Sequence, residues 1–266
     1  MHIYKDQMCT IFFGDVSTSL ISDDLRGKSF YEFFSQQPWA DIQKTMGIKT
    51  GVFGHQVHGI TGQIISENTP ELLAQPLFTK ESDYLITNLP GVGIGIVTAD
   101  CLPLVLVDQK KKVVGIIHAG WKGLVDGIVE NVIDQFQTVY GSAVQDLSLF
   151  VGPSAGVCCY EVGYQFLENN HDKALPKEVF YEKSSTLFFD MKGLLRIKCA
   201  KKGLLENQIK ECFFKCTICT PYYCSSRRSN KAPERQLTIV SVEIVKMVVY
   251  TEEIIYKNSQ KKRPEL

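Results

Sequence analysis

A single mixed α/β domain is the fold class predicted for this 266-residue chain, and three observations predict it. Strand-like runs outnumber helical ones, they succeed one another as hairpins rather than in regular βαβ alternation, and no repeat or low-complexity linker divides the chain. Length alone admits one large domain or two small ones. A hydrophobic content of 44% and a mean hydropathy of −0.04 suit a globular chain with a sizeable core.

The elements follow in order. CTIFFG reads as a strand, then come polar turns, then a helix within FYEFFSQQ, and the first sixty residues are otherwise irregular. TGQIIS, DYLIT, GVGIGIV, LPLVLVD, KKVVGIIH and LSLFVG read as strands, being rich in β-branched residues and bounded by polar or glycine-containing turns. After HAGWKG, the residues Leu124, Val125, Ile128, Val129, Val132, Ile133 and Phe136 form one stripe at a period near 3.6, which predicts a helix. Further helices are expected around Tyr160–Leu167 and Lys192–Leu204. QLTIVSVEIVKMVVYTEEIIY is β-rich, and the tail at 257–266 is expected to be mobile.

Charge and composition exclude several functions. Formal net charge is zero, so no global field draws the chain to nucleic acid or to a membrane. No 18-residue apolar run occurs, and MHIYKDQMCT has no signal-peptide core, so a cytoplasmic protein is expected. Nine cysteines, an odd number without a secretion signal, argue against a disulfide framework. Most read as buried thiols, leaving one or two as ligands or nucleophiles.

The stretch TADCLPLVLVDQKKKVVGIIHAGWKG, residues 98–123, holds the strongest chemistry. If its two aliphatic runs pair with Gln109 and Lys110 at the tip, Cys101 and His118 stand opposite each other, with Cβ atoms roughly 5 Å apart. A slip of one residue would send them to opposite faces. A thiol and an imidazole at that distance can share a proton or a metal ion. His58, in GHQVHG, would complete a two-histidine, one-cysteine donor set, enough for a catalytic zinc with an open position. Zinc there would lower the pKa of bound water to about 7 and act as a Lewis acid. Asp100, beside Cys101, reads either as a general base or as a turn residue.

Anion binding has two candidates. The glycines of HAGWKG either aim backbone N–H groups at an anion, with Lys122 adding charge, or make a tight strand-to-helix turn. SSRRSNKAPERQ gathers Arg227, Arg228 and Arg235, three of the chain's six arginines, and the guanidinium fork suits phosphate or carboxylate. Two other patterns carry less. Cys212, Cys216 and Cys219 have iron–sulfur spacing, but under about fifty residues follow them, too few for the barrel such a motif opens. GVGIGIV lacks the G-x-G-x-x-G spacing of a nucleotide site and reads as a strand. Cys158 and Cys159 are assigned packing only.

Together QVHG (56–59), TADCLPLVLVD (98–108), HAGWKG (118–123), VGPSAGVCCYEVG (151–163), FFDM (188–191), CTIC (216–219), SSRR (225–228) and ERQ (234–236) resemble the laccase-domain family, also named multicopper polyphenol oxidoreductases. The resemblance runs from about residue 50 to about residue 240. It implies a four-layer α/β/β/α fold, distantly shared with cysteine-hydrolase-like toxins, and a zinc held by His58, Cys101 and His118. It also implies phosphorolysis of adenosine, inosine, guanosine and methylthioadenosine, and deamination of adenosine. Purine nucleosides and phosphate would be the partners of a monomer or homodimer, with Arg227, Arg228 and Arg235 holding phosphate.

Departures from the family concern the substrate shell. FFGDVSTSL has no equivalent of the family's arginine and Gly-Gly-x-Ser segment, Ser226 and Ser229 flank the arginine pair, and Pro233-Glu234 replaces a Thr-Gly. Leu195 and Lys198 stand where the family's late helix carries asparagine and glutamine. Two other readings keep the geometry: a hydrolase in which His118 activates Cys101 toward an amide or peptidoglycan precursor, and a catalytically degenerate zinc-binding relative. Copper-dependent phenol oxidation is the least expected, since one cysteine and a few histidines cannot build several copper centres.

Overall fold

The computed structural model describes residues 1–21, 34–35, 37–67, 77–173, 175–211, 213–230 and 233–243. The expected FYEFFSQQ helix falls largely outside these residues, as do the second half of the long β-rich segment, Cys212 and the 257–266 tail.

Among the described residues the N-terminal part contains β1 (His2–Lys5), β2 (Cys9–Phe13), β3 (Ser19–Ile21), α1 (Gln37–Met46) and β4 (Thr50–His55). Next come β5 (Gly62–Ile65), β6 (Leu77–Glu81), β7 (Tyr84–Thr87), β8 (Val92–Thr98), β9 (Leu102–Asp108) and β10 (Val113–Ala119). Helices α2 (Trp121–Asp126) and α3 (Ile128–Tyr140) lead to β11 (Leu147–Val151), β12 (Glu161–Val162) and α4 (Tyr164–Asn169). The chain continues with β13 (Phe180–Lys183), β14 (Thr186–Phe189), α5 (Met191–Lys201), β15 (Ile209–Lys210) and β16 (Glu234–Val242).

One sheet runs β1-β2-β16-β8-β4-β6 with β3 also on β16, a second runs β15-β11-β9-β10-β7-β5, and a small third runs β12-β14-β13. Both large sheets are mixed: β4 lies parallel to β6 and β8, and β5 to β7, among otherwise largely antiparallel neighbours. Ile11, Val52, Ile94 and Val240 of the first sheet pack against Val105, Val107, Val114 and Ile116 of the second. The other face of the second sheet carries Leu104, Leu106 and Ile117, covered by Ile128, Val132 and Phe136 of α3 and Leu194 of α5. On the outer face of the first sheet, Trp39, Ile42 and Met46 of α1 cover Phe53 and Ile239. The result is a mixed α/β domain in four layers, helix, sheet, sheet, helix. LPLVLV and VVGII are apolar throughout because both faces of those strands are buried.

The structure corrects several details. The β9–β10 hairpin pairs Val113 with Asp108 and His118 with Pro103, two residues from the expected register. Asp108 Oδ1 accepts the N–H groups of Lys110 and Lys111, an Asx-type turn that centres the tip on those two lysines. A two-residue shift preserves the face of every side chain, so Cys101 and His118 still belong to one side. The single helix expected after HAGWKG is broken at Gly127, whose φ of +100° separates α2 from α3. The helix expected from Tyr160 begins only at Tyr164, because Glu161–Val162 form β12 and Gly163 caps the helix. Strands β1 and β4 lie in the segment expected to be irregular. No helix among the described residues is long and apolar enough to cross a membrane.

Candidate metal centre

His118 continues the row Val114–Ile116 of β10 and therefore points between the two large sheets, where it is 2% exposed. Cys101 ends the approach to β9, on the side of Pro103, the residue facing His118. His58 arrives from the loop after β4. The ligand atoms of His58, Cys101 and His118 all lie within 4.8 Å of one another, and the two imidazoles meet edge to face at 4.7 Å between centroids. All three predicted ligands thus converge.

Their organiser is a residue that sequence reasoning passed over. Asp83, fully buried at the entrance to β7, accepts a hydrogen bond from His118 Nδ1 at 2.7 Å. The same carboxylate accepts the backbone N–H groups of Val57, His58 and Gly59 at 3.2, 3.0 and 2.7 Å. His58 has φ of +60°, a left-handed conformation that curls the loop so that three successive N–H groups face one anion. One buried carboxylate therefore holds one histidine by its ring and the other by its backbone. With Nδ1 engaged, the Nε2 of His118 is left for Cys101 or a metal, the arrangement that orients metal-bound histidines. The available signal was an aspartate abutting an aliphatic strand in SDYLIT.

The electrostatics match. Burial pushes the Asp83 carboxyl up, but the His118 ring and the loop N–H groups outweigh it and hold it below its ordinary value. Burial also raises the Cys101 thiol, yet the two imidazoles, His118 foremost, bring it down to about 6. Burial opposes protonation of His118, while Cys101 and Asp83 favour it and lift the ring to about 9. Each group thus favours the charged form of the other, thiolate and imidazolium.

Gly120 and Gly123 show what the HAGWKG glycines do. A Cβ on Gly120 would sit 2.7 Å from His58 Cδ2 and 3.3 Å from Cys101 Sγ, and one on Gly123 would sit 2.6 Å from the Gly59 carbonyl oxygen. They permit close approach of the α2 backbone to the triplet and to the loop of His58. Lys122, on the exposed face of α2, does not line the pocket.

A cavity of about 450 Å³ borders the triplet, within the range of small-molecule sites. Asp100, Tyr160, Arg227 and Arg235 are in its wall. Asp100 has φ of +82°; its Oδ1 accepts from Thr217 Oγ1 and its Oδ2 from the Arg227 backbone N–H, both at 2.7 Å. Arg227 donates to the Glu161 carbonyl at 2.7 Å and lies 5.2 Å over the Tyr160 ring. Arg228 is turned away: its guanidinium binds the carbonyls of Thr217, Ile218, Thr220 and Tyr223, so it ties the loop together instead of facing the pocket. Of the four expected anion-binding residues, Arg227 and Arg235 reach the cavity.

The donor set fits a borderline-soft ion: two imidazoles, one low-pKa thiol, a carboxylate behind one ring and an open side toward the cavity.

A profile describing the multi-copper polyphenol oxidoreductase laccases matches residues 36–243. A purine nucleoside phosphorylase of Aquifex aeolicus is 37% identical over 182 residues, 68% of this chain and 76% of that protein. Adenosine deaminase RL5 from an unknown prokaryotic organism is 32% identical over 136 residues, 48% of this chain and 52% of that protein. The crystal structure of the Bacillus licheniformis hypothetical protein YfiH superimposes with a TM-score of 0.75 at 23% identity, covering 88% of this chain and 93% of that one. With the matched profile spanning most of the domain, the chain belongs to the multi-copper polyphenol oxidoreductase laccase family.

Proposed function

We propose that this chain is a zinc-dependent purine nucleoside enzyme, cleaving adenosine, inosine, guanosine and methylthioadenosine with phosphate and deaminating adenosine. The observation that carries the reading is the convergence of His58, Cys101 and His118 on a cavity that also presents Arg227 and Arg235. The names of the Aquifex aeolicus and RL5 relatives support both activities.

Zinc held by His58, Cys101 and His118 would supply a Lewis acid at the floor of the cavity. The remaining work falls to the chain's own groups. Arg227 and Arg235 hold phosphate at the rim, where a guanidinium can grip two oxygens. In phosphorolysis a phosphate oxygen bonds to the ribose anomeric carbon as the bond to the purine nitrogen breaks, and the base leaves with the bonding pair. Asp100, each of whose carboxylate oxygens keeps a lone pair beyond the hydrogen bond it accepts, takes the proton of the attacking hydrogenphosphate and passes it to a ring nitrogen of the departing purine. Asp83 positions His118 without touching substrate, and Tyr160 backs Arg227.

The test is chromatography of products after incubating metal-analysed protein with adenosine, with and without phosphate. Adenine formed only with phosphate establishes phosphorolysis, and inosine establishes deamination. No product from zinc-loaded protein overturns the proposal.

A second reading is favoured by the depressed Cys101 thiol beside His118: a cysteine hydrolase acting on an amide. It requires that Cys101 alkylate equally fast with and without chelator, whereas bound zinc protects it.

A further inference from the structure

Cys158, Cys159, Cys216 and Cys219 place four sulfurs within 4.8 Å of one another, outside the His58–Cys101–His118 triplet. They come from two segments, the turn after β11 and the C-x₂-C turn that follows β15. We propose that these four thiolates bind a second zinc ion, a structural site that clips two turns together beside the pocket.

The spacing argues for one ion. Thiolates around a tetrahedral zinc, at about 2.3 Å each, lie on the order of 3.8 Å apart. Sulfurs already within 4.8 Å need only a small contraction. A packing role suits Cys216, which is buried, but not Cys158 and Cys219, which are exposed. All four are free thiols.

The backbone is arranged around the sulfurs. Ser154 N–H donates to the Lys215 carbonyl and Thr217 N–H to the Ser154 carbonyl, a short parallel bridge that sets Cys216 beside the 154–159 turn. Both Cys159 and Tyr160 donate to the Gly156 carbonyl at 2.9 Å, folding the Cys158–Cys159 pair back toward Cys216. Gly156 N–H points at Cys216 Sγ, 3.3 Å away, and the Cys219 N–H does likewise. Backbone N–H groups directed at a sulfur stabilise its thiolate form, the form a metal binds. A Cβ on Gly156 would lie 3.2 Å from Cys216 Cβ and 3.3 Å from Cys158 Sγ, so the glycine permits the approach.

The position gives the site its role. Tyr160, next to Cys159, faces Arg227, while Thr217, next to Cys216, donates to Asp100. Arg228 binds the carbonyls of Thr217, Ile218 and Thr220, which span Cys219. An ion joining these turns would fix Tyr160, in the pocket wall, relative to Thr217, the residue that holds Asp100. The C-x₂-C half belongs to the pattern with iron–sulfur spacing, but its partners are Cys158 and Cys159. Nothing here depends on the nucleoside reaction.

The test is metal analysis of the whole purified protein. Wild type should carry two zinc ions per chain, Cys101→Ala one, and Cys101→Ala with Cys219→Ser none. Folded Cys101→Ala protein without metal, or with the same zinc content after Cys219→Ser, would overturn the proposal. Should Cys219→Ser fail to fold, cobalt loading of Cys101→Ala alone decides. An intense thiolate-to-cobalt charge-transfer band at one equivalent supports the site, and its absence refutes it. Iron instead of zinc in the purified protein also refutes it.

Discussion

The floor and the rim of the pocket are built in different ways. At the floor, His118 projects from a strand buried on both faces, and Asp83 ties it to the loop of His58 through four hydrogen bonds to one carboxylate. At the rim, Arg227 and Arg235 stand on a loop and a strand end, and the loop is held mainly through carbonyls gripped by Arg228. The family resemblance implies the floor's His58, Cys101 and His118, and implies departures at the rim, at Ser226, Ser229 and Pro233-Glu234. Buried strand and carboxylate support the metal-ligand candidates, whereas a surface loop supports the anion-binding candidates.

The contrast is sharpest in Asp83→Asn. Removing the charge behind His118 is expected to weaken zinc binding by about 10- to 100-fold, measured by chelator competition. Unchanged affinity would mean that the floor does not depend on its carboxylate.

The next effect is on reactivity. With Cys101 brought down to about 6, thiolate forms as pH rises through 6, so alkylation of metal-free protein should plateau by about pH 7 instead of climbing through pH 8.5. His118→Ala removes the largest attraction, moves the midpoint upward and should slow alkylation at pH 7 by about tenfold or more. An ordinary thiol profile in wild type would break the distinction between floor and rim.

The smallest effects belong to the rim and its surroundings. Arg227→Ala or Arg235→Ala should raise the KM for phosphate by about tenfold, the loss of one charge-assisted contact of about 1.4 kcal/mol. Lys122→Ala should leave that KM within about twofold. An equal effect of Lys122 would move the anion site to the α2 side.

Much of the floor was legible because its signals are local. Two aliphatic runs with a cysteine and a histidine at their open ends imply a hairpin, and the two-residue register error left parity intact. The error came from the tip, where Asp108 caps two lysine N–H groups and no Asn-Gly marks the turn. Asp83 was passed over because its only signal, an aspartate beside the aliphatic run of SDYLIT, says nothing of a role that joins loop, strand and ring, partners brought together only by the fold. Arg228 was singled out by composition, which cannot say that a guanidinium turns toward carbonyls. The four-cysteine cluster needed two distant turns to meet. Strand β4 was missed because TGVFGH is short and contains two glycines, and its parallel pairing with β6 and β8 leaves no hairpin signature.

Asp100 stands between the two regions, adjoining Cys101 by the chain and the Arg227 backbone by a hydrogen bond. Thermodynamic reciprocity then applies to this corner. By whatever factor occupation of the metal centre tightens the hold on an anion at the rim, a bound anion must tighten the hold on the metal by the same factor. An anion seated on Arg227 and Arg235 would then count as much toward keeping an ion at His58, Cys101 and His118 as the ion counts toward keeping the anion.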